Sequence, residues 1–146
     1  LPGQRLKAME KLAALGVPVS ARIDPIIPGI NDAEIDDLVS AVSRAGALHI
    51  TSSTYKARPG GLKRIMNAFP EQGAALQRLF AGGEMMAGSL YLPAELRRGL
   101  MERIAASAEV EALTFSSCRE GSEPAPGINC DGSHLLPSQD KVKPEE

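Results

Sequence analysis

The sequence predicts an α/β fold with a parallel sheet. Apolar, β-branched runs alternate with segments whose apolar residues recur at helical spacing. The connections between them are only a few residues long, as in βαβ units with right-handed crossovers. Polar and charged residues gather where two of the strands end, at Arg22 and Asp24 and again at Ser52–Lys56. In parallel sheets and barrels, ligands bind at the carboxyl ends of strands.

The first helix is expected over residues 4–15. Leu6, Met9, Leu12 and Ala13 fall on one face, and Gly16 is placed as a C-cap. A strand follows from Val17 to Ile27 and breaks at Pro28-Gly29. Asn31 reads as the N-cap of the next helix, with Glu34 completing a variant capping box. Ile35, Leu38, Val39 and Val42 carry that helix through Arg44, and Gly46 stops it. Leu48 to Tyr55 is the second strand. Two strands cannot bury both faces of an open sheet, so further strands are expected from outside this chain.

Residues 56–61 form a loop. Leu62, Ile65, Met66 and Phe69 keep helical spacing, and Pro70 opens a further helix that runs to Gly82-Gly83. Residues 84–92 fit either a short strand or a loop. Pro93 starts a helix with Leu96, Leu100, Ile104 and Ala108 inside, and Val110 to Phe115 is the last strand. From Cys118 onward, Gly, Pro, Ser, Asn and Asp dominate. Residues 118–137 are thus an extension rich in Cys and Gly, and residues 138–146 are expected to be disordered.

A chain of 146 residues is enough for one domain. Its net charge of −2 gives no electrostatic footprint for nucleic acid or an anionic membrane. Three Phe, two Tyr and no Trp leave little surface for stacking bases. No apolar run approaches the roughly 18 residues of a membrane span. The first residues, Leu1-Pro2-Gly3, lack an initiator Met, so a piece of a longer protein is expected. Two cysteines without a secretory signal place that protein in a reducing cytoplasm.

Four groups of residues can carry chemistry. Arg22 and Asp24 are two apart near a strand end, so both point to one face. Ser52, Ser53, Thr54, Tyr55 and Lys56 offer hydroxyls and an ammonium suited to a carboxylate, ribose or phosphate. His49, in the strand before them, reads as a packed residue. Arg58, Lys63 and Arg64 read as a solvated basic face. Cys118, Cys130 and His134 are ligand types for zinc or an iron–sulfur cluster, one short of a closed site. Their alternative is a Gly-rich turn holding two reduced thiols. The letters CDGSH at 130–134 also mark a small 2Fe-2S domain. That domain needs a C-x-C pair upstream, where Arg119 and Gly121 stand, so it is rejected. Gly121, Gly127 and Gly132 permit sharp turns that bring both sulfurs to the strand end of Arg22 and Lys56.

Three stretches also resemble a known family. RIDPIIPGIND at 22–32, SSTYK at 52–56 and CREG at 118–121 are similar to the carboxy-terminal half of radical S-adenosylmethionine proteins of the spore photoproduct lyase-like group. The resemblance runs over about residues 4–136. It implies that residues 1–117 are the carboxy-terminal part of a partial TIM-type (β/α) barrel. It implies a longer cytoplasmic enzyme that uses S-adenosylmethionine and a 4Fe-4S cluster. The cluster loop, C-x-x-x-C-x-x-C, does not occur here, so this piece alone is expected to be inactive. Arg22, Asp24 and Gly29 would contact S-adenosylmethionine, with Arg22 facing its carboxylate. The form G-x-I-x-G-x-x-E found in the family is only partly echoed by Gly29 and Asp32. Ser52, Ser53, Tyr55 and Lys56 would lie nearer the substrate, which the resemblance leaves open. One branch acts on DNA, which the charge here does not support. The other readings are a small metal-binding module using Cys118, Cys130 and His134 without catalysis, and a small binding or scaffold domain.

Overall fold

The computed structural model describes residues 2–121 and 125–137. Helix α1 (Pro2–Ala14) leads into strand β1 (Val19–Ile26), and α2 (Ile35–Arg44) crosses to β2 (Ala47–Thr54). Helices α3 (Gly61–Ala68) and α4 (Pro70–Ala81) follow. Short strands β3 (Glu84–Met86) and β4 (Ser89–Tyr91) then precede α5 (Ala94–Val110) and β5 (Thr114–Ser117). Strand β2 lies between β1 and β5, and both pairings are parallel. The α/β class with parallel strands is therefore present. Among the described residues the sheet has three strands and does not close into a barrel.

The alternation of side chains divides this sheet into two unlike faces. Ala21, Ile23, Ile50 and Phe115 pack with Ile35, Val39, Val42, Leu100, Met101 and Ile104 from α2 and α5. Ile35, Val39, Ile50 and Ile104 are fully buried. Each such side chain contributes about 1.5–3 kcal/mol. On the other face, the register aligns Ser20 with His49, Arg22 with Thr51, His49 with Thr114, and Thr51 with Ser116. That face is polar throughout. A second apolar cluster, Ile27, Ala57, Leu76, Phe80 and Leu92, forms where α4 meets the β3–β4 hairpin.

Several boundaries differ from the sequence reading, each for a local reason. Helix α5 runs on to Val110, which is 86% exposed, and Ala112 turns the chain at a positive φ of 57°. The last strand is thus Thr114–Ser117 and not Val110–Phe115. Asn31 does not cap a helix. Its Oδ1 accepts the Ile27 N–H at 2.7 Å and its Nδ2 donates to the Pro25 carbonyl at 3.0 Å. The Asn side chain closes the turn after β1, and a 3-10 turn at Asp32–Glu34 delays α2 to Ile35. Residues 84–92 form a hairpin whose Leu90 exchanges backbone hydrogen bonds with Ala57. In α1, Leu6 and Met9 reach the core but Leu12 stays exposed. Residues 138–146, expected to be disordered, lie outside the described residues.

Candidate functional site

The polar groups that flank β2 form two clusters, one at each end of the strand. At its carboxyl end the chain passes from Thr54 through Tyr55 to Lys56. Beside it, the segment after β5 brings in Cys118, Arg119 and Glu120. The Glu120 side chain is only 2% exposed, so its charge must be met by protein groups. Lys56 Nζ donates to Glu120 Oε1 at 2.6 Å, the Thr54 N–H donates to the same oxygen at 2.7 Å, and the Thr54 hydroxyl at 3.1 Å. Arg97, from the inner side of α5, places Nη1 3.5 Å from Glu120 Oε2 and 3.0 Å from its carbonyl. Lys56 spends its other protons on the Thr54 and Cys118 carbonyls. Both cations lie 5.3 Å from the Tyr91 ring centre.

Arg22 and Asp24 lie on the polar side of β1. Arg22 Nη2 meets Asp24 Oδ2 at 2.6 Å, with side chains 50% and 23% exposed. They avoid the helix-packed face, as their parity requires, yet Arg22 remains half in solvent. The Asp24 carboxylate raises the pKa of Arg22, and the Cys118 side chain adds a smaller push in the same direction. The Cys118 thiol therefore sits beside this guanidinium at the strand end.

At the amino end, a strap of residues 128–136 covers the polar face. Its only regular element is a 3-10 turn, Ser133–Leu135. The Asn129 N–H donates to His134 Nδ1 at 3.1 Å, so the neutral ring carries its proton on Nε2 and donates to Thr114 Oγ1 at 3.2 Å. Thr114 Oγ1 lies 2.8 Å from His49 Nδ1. His49 Nε2 lies 3.1 Å from both Thr51 Oγ1 and Ser116 Oγ, and the Thr51 hydroxyl donates to the Cys130 carbonyl at 2.6 Å. The two imidazoles meet edge to face with centroids 4.6 Å apart. His49 is fully buried. Burial lowers its pKa, and the neighbouring His134 lowers it further. Gly132 is buried at φ 77°, and a Cβ there would stand 3.0 Å from that of Ser20. Only glycine allows the strap to lie this close in that conformation.

The residues chosen from the sequence are thus distributed unevenly. Lys56 and Cys118 lie within one cluster, with Arg22 against the thiol. Ser52 faces the helix side, fully buried, with its hydroxyl bonded to the Ile23 carbonyl. That is a ladder-side structural role, because its parity is opposite to that of His49 and Thr51. Ser53 is half-buried and shares the parity of the polar face. Tyr55 packs its ring edge-on against Phe80. Gly29 is exposed at φ 75°, and its N–H donates to Asp32 Oδ1. Arg58, Lys63 and Arg64 are exposed.

Cys118, Cys130 and His134 are not brought together as a donor set. Cys118 stands at the carboxyl end of β5, Cys130 is exposed beside Thr51, and His134 has both ring nitrogens engaged near the amino end. Among the described residues no group of three or more His, Cys, Asp or Glu is arranged to hold a metal ion. No helix among them is long and apolar enough to cross a membrane. Sequence reasoning passed over Glu120 and Arg97. The signal for Arg97 was its place beside Leu96 and Leu100 on the inner stripe of α5. No family model, curated protein or solved structure matches this chain.

Proposed function

We propose that this chain is the carboxy-terminal part of a radical S-adenosylmethionine enzyme barrel, with the polar face of β1, β2 and β5 turned to the lumen. The observation that carries the reading is this face itself. A three-stranded parallel sheet covered by helices on one side normally buries apolar residues on both. Here Ser20, Arg22, His49, Thr51, Thr114 and Ser116 line the side without helices; the strap covers His49, Thr51 and Ser116, and Arg22 at the strand end stays half-exposed. A ligand-bearing barrel interior needs such residues, and a two-layer packing does not.

The residues present suit S-adenosylmethionine. Arg22 offers a half-exposed guanidinium to a carboxylate, and Asp24 beside it accepts from an ammonium or hydroxyl. The cofactor itself would supply the radical on cleavage, while this chain would orient it and exclude water. A 4Fe-4S cluster with one open iron needs three thiolates, and the chain has two cysteines. These residues do not fit the cluster, whose ligands would belong to other sequence, and no step is derived through it.

Equilibrium dialysis against labelled S-adenosylmethionine tests the reading, using protein expressed from the complete reading frame. Wild type should bind saturably, and Arg22→Ala should bind about tenfold more weakly. Equal binding by the two would remove Arg22 from the site. No binding by wild type would remove the cofactor.

A further inference from the structure

The cluster at the carboxyl end of β2 has the form of a receptor whose occupant comes from the chain itself. Its donors are held independently of Glu120. Lys56 Nζ is also fixed by the Thr54 and Cys118 carbonyls at 3.2 and 3.4 Å, and Arg97 Nε by the Leu92 carbonyl at 2.9 Å. The Tyr91 ring lies against both cations. Thr54 and Arg97 belong to β2 and α5, which are packed into the core. The acceptor, in contrast, sits on a loop. Arg119 there has a positive φ of 57°, and Gly121 follows at 87°.

Charge is also left over. The Lys56, Arg97 and Glu120 side chains are 10%, 6% and 2% exposed, so two buried cations share one carboxylate. A groove of 460 Å³ between α5 and this loop is lined by Arg98, Met101, Phe115, Glu120 and Gly121. It gives a small molecule a route to the Glu120 position, past Arg98 and Glu102. The location is the end of the central parallel strand, where ligands of such sheets bind.

We propose that Lys56, Arg97 and the Thr54 N–H and hydroxyl form an oxyanion-binding site, which Glu120 fills as an internal ligand until a phosphate or carboxylate group displaces it. The donor set is that of an anion receptor: one backbone N–H, one hydroxyl, one ammonium and one guanidinium. Displacement leaves the Glu120 carboxylate free to swing into solvent on its loop, and both cations keep an anionic partner. The proposal stands apart from the cofactor reading and does not depend on it.

Titration of the chain with inorganic phosphate and, separately, acetate, followed at the Thr54 amide by two-dimensional NMR, tests it. Wild type should show a saturable shift of that amide with one of the two anions, and which one distinguishes phosphate from carboxylate. Glu120→Gln, which keeps the shape and removes the competing charge, should bind the same anion about tenfold more tightly. Lys56→Met should lose the response. No saturable shift in wild type or in Glu120→Gln would overturn the proposal. So would binding by Glu120→Gln alone, since the cradle would then be a closed ion pair that accepts an anion only after mutation. A response that survives Lys56→Met would also overturn it.

Discussion

The two ends of β2 are held in opposite ways. At the amino end, neutral groups are joined by hydrogen bonds from Asn129 through His134, Thr114, His49 and Thr51 to the Cys130 carbonyl, and the Thr114 hydroxyl donates to the Leu48 carbonyl. At the carboxyl end, two buried cations converge on Glu120. A neutral chain keeps every polar group satisfied at modest net energy, and its links are directional. A buried charge cluster tolerates no missing member, because the partners left behind are desolvated and unpaired. The amino end therefore reads as an attachment for the strap, and the carboxyl end as a site with a strong requirement for an anion.

Glu120→Ala tests this contrast most severely. It strands Lys56 and Arg97, so destabilisation of about 3–5 kcal/mol is expected in urea unfolding. A loss below about 1 kcal/mol would mean that water reaches both cations freely, against the burial seen here. Gly132→Ala acts at the other end. It forces a side chain into the left-handed region and against Ser20, at a cost of about 1–2 kcal/mol. Hydrogen exchange should then quicken at Asn129, whose N–H bonds to His134 within the strap, and unchanged exchange there would show that Gly132 does not hold the strap in shape.

Acid should weaken the amino end by a smaller and gradual amount. The folded-state pKa of His49 is lowered, by burial first and by His134 next. The unfolded chain thus takes up the proton near pH 6.5, before the folded one does. The contribution of neutral His49 is complete above that value and declines as pH falls below about 6.5. In His49→Gln this slope should flatten, and a wild-type stability that is level over that range would contradict the assignment. The least effect on stability is expected from Arg22→Ala. Its pair with Asp24 is half-exposed, so about 0–1 kcal/mol is at stake. A larger loss would show that Arg22 belongs to the buried cluster rather than to its open margin.

Much of the fold was legible because apolar spacing marks the helices and strands directly. Ile35, Val39 and Val42 declared the buried side of α2, and β-branched runs declared β1 and β2. Boundaries failed where side chains bond locally. Nothing in the spacing of Asn31 distinguishes a helix cap from a turn clamp on Ile27 and Pro25. Val110 continues a helix because nothing before Ala112 turns the chain. In the site, Lys56 and Cys118 stood out by residue type. Glu120 and Arg97 did not, since they are 23 positions apart and only the return of the chain after β5 joins them. Ser52 is opposite in parity to His49 and Thr51, and its hydroxyl bonds the Ile23 carbonyl.

The most direct test of the functional account is release of 5′-deoxyadenosine. Protein from the complete reading frame would be reconstituted anaerobically with iron and sulfide, then given a reductant and S-adenosylmethionine. We expect 5′-deoxyadenosine from that protein, a reduced yield from its Arg22→Ala variant at limiting cofactor, and none from the 146-residue chain alone, which has only two cysteines. Turnover by the isolated chain, or none by the complete protein, would contradict it.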